Sequence, residues 1–326
     1  MRIEIKRKDV ELISPYTYSR SRDLKCTLVH VELRDGEAVG RGEGAPFESF
    51  FEAPASETLE QLHAVAGEVH DRLTPEELLT LLPPGPARNA LDAALWDLEA
   101  KRRKKRVWQL LDLPEPRPVR IMYTISMAEH DQLVRELEDA RRHPILKLKL
   151  GSKDDLARLE LTRGIRPDAE LVVDVNSGWD IETLRAMLPV LERYGVKMIE
   201  QPVAPRYEAG LREVERSIPL IADESFGSLR DLGRLADLYD GVNIKLDKCG
   251  GLTTALKIIE EARRRKLYIM LGCLPASSLS SAVGMLAAQF AKFVDLDNQF
   301  WLKEDIQPAL AYDNGWLHPA SPELWG

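Results

Sequence analysis

The sequence is poor in cysteine and has no long hydrophobic run. Its three cysteines, Cys26, Cys249 and Cys273, lie far apart and form no C-x-x-C pair. This argues against a disulfide framework or a thiolate zinc site and is typical of a reducing compartment. No apolar run reaches the roughly 18 residues of a membrane span, and the N-terminal MRIEIKRKDVELI lacks the apolar core of a signal peptide. We therefore expect a cytoplasmic protein without a membrane partner.

The chain also has no excess of positive charge and few histidines. Its formal net charge of −8 disfavours a nucleic-acid partner. None of the six histidines falls at the end of one of the predicted strands described below, which disfavours zinc hydrolysis and histidine base chemistry. With 44% hydrophobic and 30% charged residues, the composition is that of an ordinary globular protein. The composition leaves the oligomeric state open, a homo-oligomer included.

Residues 119–297 alternate predicted strands with amphipathic segments such as 154–165, 181–194 and 252–265, whose apolar residues recur at helical spacing. Eight strands separated by seven helices predict an α/β fold with a closed parallel barrel. An open doubly wound sheet is the alternative, but it would scatter the charged strand ends described below. The predicted strands are 119–126, 145–150, 171–175, 197–200, 220–223, 241–246, 268–272 and 293–296.

Residues 1–118 predict a different, α+β domain. Strands at 24–33 and 38–43 flank an Asp35-Gly36 turn, and helices follow at about 55–71, 75–81 and 86–105. The prolines of PEPRP (114–118) predict a boundary, because proline interrupts both helix and sheet. We assign 119–300 to the barrel and expect the tail, 301–326, to pack back on the first domain.

Charged residues stand at the ends of five successive predicted strands. They are separated by 25, 26, 23 and 22 residues, about the length of one strand, one helix and two short loops. A charge at such a strand end faces the mouth of a barrel, where these barrels carry their active sites. The five residues are Lys149, Asp174, Glu200, Asp223 and Lys245.

The three acids predict a metal site. Asp174, Glu200 and Asp223 lie on consecutive strands and can converge on one point, where unpaired carboxylates would repel each other strongly. A divalent cation removes this repulsion, and ligands that are all oxygen favour Mg²⁺. In the ADES stretch, the ligand could be Asp223 or Glu224, which point in opposite directions.

The lysines predict acid/base chemistry. Lys147 and Lys149 share one side of their strand, and we expect repulsion and burial to lower the pKa of at least one of them. Lys245 lies across the mouth if the barrel closes. Two bases on opposite faces of a metal-bound substrate can invert a stereocentre, whereas one base with an opposed acid could perform an elimination. Asp295 and Asp297, a same-face pair on the last strand, could hold a cation such as a substrate ammonium.

These motifs resemble a known family. ILKLKLG, VVDVNSGW, IEQP, ADES and VNIKLDKCGGLT resemble the muconate-lactonising subgroup of the enolase superfamily. VDLD on the last strand makes the chain similar to the dipeptide epimerases, of which the L-Ala-D/L-Glu epimerases are the best known. LPPGPARNALDAALWDLEAK and IMLGC extend the resemblance over nearly the whole chain.

The resemblance implies a (β/α)7β modified TIM barrel with a capping domain built from both ends of the chain. It implies Mg²⁺ on Asp174, Glu200 and Asp223, acid/base roles for Lys149 and Lys245, and electrostatic support from Lys147. Asp295 and Asp297 would bind the ammonium of a dipeptide, and Thr124 would touch the substrate. The implied activity is inversion of the α-carbon of the C-terminal residue of a dipeptide by a 1,1-proton transfer between two lysines, through an enolate.

The sequence departs from the Ala-Glu pattern in the residues that would select the substrate. The segment Pro15–Lys25 carries Arg22 and Asp23 where those enzymes place an arginine that meets the substrate glutamate, and 274–276 and 298–299 also differ. An acidic Asp23 predicts a neutral or cationic C-terminal residue. Because the barrel's own loops are short, we expect Pro15–Lys25 and Phe47–Glu52 to close over the mouth.

Two other functions compete with this prediction. A lyase or cycloisomerase of the same subgroup, such as o-succinylbenzoate synthase or muconate cycloisomerase, would use the same metal and lysines on a substrate without an ammonium. A catalytically dead barrel that serves as a binding scaffold is disfavoured, since both lysines and all three acids are intact.

Overall fold

An antiparallel three-stranded sheet forms the first part of the chain. The computed structural model describes residues 1–18, 21–51 and 53–326. Strands β1 (Arg2–Tyr18), β2 (Ser21–Asp35) and β3 (Ala38–Gly44) pair in the order β1-β2-β3, and the predicted turn at Asp35-Gly36 joins the last two. Helices α1 (Glu48–Phe51), α2 (Ala55–Val65), α3 (Pro75–Leu81), α4 (Pro86–Arg103) and α5 (Val107–Leu110) follow.

Helix α4 packs directly on strand β3. A Cβ atom placed on Gly40, Gly42 or Gly44 would lie within 2.4 Å of a backbone oxygen of α4, so only glycine permits this approach. The buried side chains between the sheet and helices α2 to α4 form a separate apolar core, which includes Val31, Leu62 and Leu91. The glycine repeat of β3 is therefore explained by packing.

Eight parallel strands follow in strict chain order and curl into a closed barrel. The backbone N–H of Met122 donates to the carbonyl of Val294 at 2.9 Å and joins the first strand to the last. The strands are β5 (Tyr123–Ile125), β6 (Ile145–Lys149), β7 (Glu170–Asp174), β8 (Val196–Glu200), β9 (Leu220–Ala222), β10 (Gly241–Lys245), β11 (Tyr268–Gly272) and β12 (Phe293–Val294). The predicted α/β barrel is confirmed.

The barrel helices are α6 (His130–Asp139), α7 (Asp155–Ile165), α8 (Ile181–Arg193), α9 (Leu232–Leu235), α10 (Leu246–Cys249), α11 (Leu252–Arg264) and α12 (Ser278–Ala288). One crossover differs from the prediction of seven helices. The connection from β8 to β9 is a 3-10 segment, Pro205–Glu213, instead of an α-helix. Among the described residues, no helix is long and apolar enough to span a membrane.

The predicted first barrel strand, 119–126, is divided in two. Residues Val119–Arg120 form β4 and pair antiparallel with β14 (Trp316–Leu317), which also pairs with β13 (Tyr312–Asp313). Only Tyr123–Ile125 joins the barrel. Farther along the tail, the indole N–H of Trp325 donates to the carbonyl of Ala93 in α4 at 3.1 Å. The tail therefore contacts both the barrel's entry segment and the first domain.

Inside the barrel, side chains alternate in layers. An apolar layer fills the lower part and includes Met122, Ile145, Val172, Met198, Ile221, Met270 and Phe293. Two residues further along most of these strands, the inward positions carry charged or polar side chains. The barrel is thus sealed below by hydrophobic side chains, and its polar residues are collected at the carboxyl ends of the strands.

Candidate active site

The charged strand ends surround the mouth in a definite order. Lys149 ends β6 and Lys245 ends β10, which lie four strands apart in the eight-stranded barrel and hence on opposite walls. The three acids stand on β7, β8 and immediately after β9, between the two lysines. Asp295 follows β12, four strands from Glu200 and so across the barrel from it.

Lys147 lies at the centre of this arrangement. Its Nζ atom is 2.7 Å from Oε2 of Glu200, 2.7 Å from Oδ2 of Asp295 and 3.1 Å from Oδ2 of Asp174. All four side chains are buried. One ammonium group therefore joins carboxylates from opposite sides of the barrel.

Each of the two outer lysines is paired with a different acid. Lys149 donates to Oδ2 of Asp174 at 2.7 Å and to Oδ1 of Asn176 at 2.9 Å. Lys245 donates to Oδ2 of Asp223 at 2.8 Å. The two lysines are therefore held on opposite sides of the three acids.

Besides Asn176, two further polar residues of the site were missed by the sequence analysis. Lys248, on α10, donates to Oδ1 of Asp223 at 2.6 Å and to its carbonyl at 2.8 Å. Asn243, two residues before Lys245 on β10, donates to Oε1 of Glu200 at 2.7 Å. Strand parity could have found Asn243, because it shares the inward face of Lys245.

The electrostatics of Lys147 are opposite to those expected for a lysine of lowered pKa. Burial alone would lower its pKa, but the carboxylates of Asp295, Glu200 and Asp174 outweigh burial and raise it well above its usual value. The pKa of Lys245 is also raised, because Asp223 and Glu200 outweigh the effect of burial. The expectation of mutual repulsion was wrong for Lys147, since the acids on both sides were left out of the argument.

The three acids respond to burial and charge in different ways. Burial and the charge of Asp174 raise the pKa of Glu200 to about 7. Burial acts in the same direction on Asp174, but Lys149 and Lys147 outweigh it and lower the pKa to about 2. Lys245 and Lys248 likewise hold the pKa of Asp223 well below its usual range, against the effect of burial.

These carboxylates fit a divalent cation in chemistry and burial. They are the all-oxygen donors that Mg²⁺ prefers, and they sit buried close together, where positive charge stabilises them against their mutual repulsion. Asp223 faces inward with Ile221, whereas Glu224 is half-buried and accepts from Asn176 at 3.4 Å. Within the described ranges, no three His, Cys, Asp or Glu side chains are placed closely enough to enclose an ion as they stand. The acids are instead paired with Lys147, Lys149 and Lys245.

The acid pair Asp295 and Asp297, which follows the last strand instead of lying on it as predicted, is buried across the barrel from Glu200. Oδ2 of Asp297 accepts from the backbone N–H of Thr124 at 2.7 Å, so Thr124 holds this acid. Burial and the charge of Asp295 raise the pKa of Asp297 to about 6. Oδ1 of Asp295 has no hydrogen-bond partner among the described residues. This wall can therefore accept further hydrogen bonds from a cation.

Aromatic rings of the first domain cover both outer lysines. The ring centroid of Tyr16 lies 5.8 Å from Nζ of Lys149, and that of Phe50 lies 4.6 Å from Nζ of Lys245. Ser49 donates to Oδ2 of Asp23 at 3.0 Å and so ties the two covering segments together. Arg22 is exposed and pairs with Thr17 across the β1–β2 hairpin.

The segment predicted as the loop Pro15–Lys25 is largely strand, since β1 runs to Tyr18 and β2 begins at Ser21. Ser19, Arg20 and Glu52, which belong to the two segments expected to close over the mouth, lie outside the described residues.

A cavity of about 1030 Å³ opens beside the mouth, between the first domain and the loops that follow β6 to β9. Phe50, Pro86, Asn176, Glu224 and Lys248 are among the residues that line it. It therefore adjoins groups that contact Lys149 and Asp223, and it is large enough for a small peptide.

Comparison with known proteins places the chain in a family. The mandelate racemase/muconate lactonizing enzyme N-terminal domain matches residues 2–112, and the enolase C-terminal domain-like model matches residues 130–323. The chain belongs to the mandelate racemase/muconate lactonizing enzyme group of the enolase superfamily, as predicted.

Several relatives and solved structures are dipeptide epimerases, and an N-acetyl-D-glutamate racemase of a Pseudoalteromonas species is 33% identical over 92% of this chain and 95% of that protein. The chain is 36% identical to the L-Ala-D/L-Glu epimerase of Escherichia coli over 309 residues, 94% of this chain and 96% of that protein. An enolase family member from Agrobacterium tumefaciens with homology to dipeptide epimerases, solved with sodium and L-Ala-L-Glu, is 38% identical with a TM-score of 0.95 over 99% of both chains. A dipeptide epimerase from Methylococcus capsulatus, solved with Mg and L-Arg-D-Lys, is 26% identical with a TM-score of 0.91 over 98% of this chain and 96% of that one.

Proposed function

We propose that the chain is a Mg²⁺-dependent dipeptide epimerase that inverts the α-carbon of the C-terminal residue. The observation that carries the proposal is the position of Lys149 and Lys245 on strands four apart, with Asp174, Glu200 and Asp223 between them. Two bases on opposite faces of one carbon can remove a proton from one side and return a proton on the other.

The reaction needs one lysine neutral and the other protonated. The neutral lysine takes the α-proton, and the opposed ammonium delivers a proton to the other face, so that each lysine ends in the state in which the other began. When bound to Asp174, Glu200 and Asp223, Mg²⁺ would supply the positive charge that stabilises the enolate dianion left after proton removal. Lys147, whose pKa is raised, stays cationic and supports this charge from the barrel axis.

The wall of the barrel opposite the proposed metal ligands supports recognition of a dipeptide. A substrate whose carboxylate lies toward β7 to β9 extends its N-terminal part across the mouth toward β12, where Asp295 and Asp297 are buried. Asp297, whose pKa is raised by burial and by the charge of Asp295, gains most from a positively charged partner, and the ammonium of a dipeptide is such a partner.

The preferred side chain is proposed from Asp23. The E. coli relative is named for L-Ala-D/L-Glu, whereas the Methylococcus capsulatus structure holds L-Arg-D-Lys. Asp23 adds negative charge to the segment that covers the mouth, which favours a neutral or cationic C-terminal residue. If kcat/KM were equal for L-Ala-L-Glu and L-Ala-L-Lys, this assignment would be wrong.

The second candidate is a lyase or cycloisomerase of the same subgroup, favoured by the same metal ligands and lysines. It differs in its substrate, which carries no ammonium, so Asp297→Asn should matter little for it.

The test is incubation of the enzyme with a library of L,L-dipeptides, N-acetyl amino acids, Mg²⁺ and D₂O, read by mass spectrometry. A gain of one deuteron confined to certain dipeptides, with formation of the L,D product, is the expected result. Absence of deuterium in every dipeptide, from enzyme shown to bind Mg²⁺, would contradict the proposal. Absence of deuterium in the N-acetyl amino acids as well would favour the second candidate.

We further propose residues 1–118 with 301–326 as a capping domain and 119–300 as the catalytic barrel, in a cytoplasmic enzyme. Limited proteolysis near Pro114–Pro118 tests the boundary. Cleavage there should give two fragments that separate only on denaturation, because the tail holds them together.

A further inference from the structure

Side chains of helix α4 in the first domain form hydrogen bonds with the turn that follows Lys245. This turn consists of α10, Gly250 and Gly251, and it leads into α11. The buried guanidinium of Arg88 donates to the carbonyl of Cys249 at 2.6 Å and to the carbonyl of Gly250 at 3.0 Å. Its hydrogen bonds therefore satisfy backbone carbonyls at the end of α10, which would otherwise be buried without a partner.

Two further side chains of α4 hold the same turn. Asp92 accepts from the hydroxyl of Thr253 at 2.5 Å and from its backbone N–H at 3.2 Å, so it caps the start of α11. Asn89 donates to Oδ1 of Asp247 at 2.9 Å, and the same oxygen accepts from the backbone N–H of Ala45 at 2.9 Å. Asn89 thus contacts the turn near its beginning, Arg88 contacts it near its end, and Asp92 contacts the first residues of α11 that follow it.

The sequence of the turn makes this close contact possible. Gly250 and Gly251 have φ values of 78° and 112°, which side chains rarely adopt. A Cβ atom on Gly250 would lie 2.4 Å from Nε of Arg88, and one on Gly251 would lie 2.5 Å from Oδ2 of Asp92. Both glycines are therefore required where α4 approaches.

The turn begins at the residue after Lys245 and contains Lys248. Both lysines bind the carboxylate of Asp223, one at each oxygen. A shift of the turn would therefore move one acid/base residue and a contact of one metal ligand together, while Lys149 on the opposite wall keeps its own partners.

We propose that Arg88 is a positioning residue for Lys245. The inference rests on the proposed function and goes beyond it. The first domain covers the mouth and, through α4, also fixes the position of one of the two bases. A contact that only joined two domains would affect both bases alike. Arg88 should instead affect the face of the substrate that Lys245 serves.

The test measures exchange of the α-proton with D₂O separately for the L,L and L,D epimers of one dipeptide substrate. Each epimer presents its proton to one lysine, and Lys245→Met identifies the epimer that Lys245 serves. In Arg88→Met, we expect exchange from that epimer to fall at least about tenfold more than exchange from the other. Arg88→Lys keeps one donor group for the two carbonyls and should recover part of the loss. If Arg88→Met does not fold, Arg88→Lys is measured in its place.

Glu43→Gln is the matched control. Glu43 is a buried residue of the first domain whose carboxylate accepts from the backbone N–H and the hydroxyl of Ser277, in the loop after β11, and thus makes a comparable contact with a different loop of the barrel. Its substitution should change exchange from the two epimers by equal factors. Equal factors in Arg88→Met, or no change there, would overturn the inference with the proposed function intact. Absence of exchange from either epimer in the wild-type enzyme would overturn the proposed function, and the role of Lys245 with it.

Discussion

Lys147 and Glu200 form a buried ion pair at the centre of the barrel, with 2.7 Å between Nζ and Oε2. The same ammonium lies 2.7 Å from Asp295 on the opposite wall. Lys147 therefore stands between the proposed metal ligands and the proposed ammonium site, one inward position below Lys149 on β6. Its raised pKa favours the protonated form, which suits the proposed electrostatic role.

Replacing Lys147 by methionine should slow proton exchange from both epimers by similar factors, roughly 100-fold or more. The reason is that the lost positive charge supports the enolate whichever lysine removes the proton. Exchange measured in D₂O for each epimer checks this. A loss confined to one epimer would instead identify Lys147 as a base for that face.

Replacing Asp297 by asparagine should lower kcat/KM for a dipeptide substrate by roughly 100-fold, because a buried charged hydrogen bond to the ammonium is lost. Asp297 is the better residue to replace, because Oδ2 of Asp295 also accepts a hydrogen bond from Lys147. Steady-state kinetics of dipeptide epimerisation provides the measurement. An unchanged kcat/KM would contradict the ammonium assignment and favour a substrate without one.

Substitution of Gly272 by alanine should weaken Mg²⁺ binding by roughly 10- to 100-fold. A Cβ atom there would lie 2.5 Å from Oδ1 of Asn243, whose amide holds Glu200 at 2.7 Å. Isothermal titration with Mg²⁺ measures the affinity. Gly284→Ala is the control, because its Cβ would meet only Leu296 and Leu271 side-chain carbons at 3.2 Å or more. Equal affinities in the two variants would show that Asn243 does not orient Glu200.

Asp92 predicts a pH dependence of stability. Burial raises its pKa from 3.8 to about 7, against the hydrogen bonds from Thr253. Between these values the folded chain holds a proton that the unfolded chain releases, so this group lowers stability as pH rises from about 4 to about 7, with no further change above. Asp92→Asn removes the titration. We therefore expect the free energy of unfolding of the wild type to decline relative to this variant by up to about 4 kcal/mol over that range.

Urea unfolding of both proteins at several pH values between about 4 and 8 measures this difference. Asp247, whose pKa burial also raises to about 7, is present in both proteins, so its contribution cancels. A difference that does not vary with pH would contradict the ionisation assigned to Asp92.

The barrel and its charged strand ends were predictable because strand period and strand parity are local properties of the sequence. Asp174, Glu200 and Lys245 all end strands as expected. The contact of Lys147 with Asp295 was not predicted, since it depends on how far the lysine side chain reaches across the closed barrel. The division of the first strand was equally inaccessible, because Val119–Arg120 pairs with Trp316–Leu317, nearly two hundred residues away.

The role of the first domain at the site was predicted only in outline. A cover over the mouth was expected from the shortness of the barrel loops, and Tyr16 and Phe50 do lie over the two lysines. The identity of these rings depends on how the hairpin and α1 dock, which no local pattern specifies. The same holds for Arg88, which reads in sequence as one more polar residue of an amphipathic helix.

The most direct test of two-base catalysis compares Lys149→Met with Lys245→Met. Exchange of the α-proton with D₂O is followed for the L,L and L,D epimers of a dipeptide substrate in each variant. Opposed lysines predict that each variant loses exchange from one epimer and retains it for the other, with the retained epimer reversed between the two. Loss of exchange from the same epimer in both variants would contradict the account, because the two lysines would then act on one face.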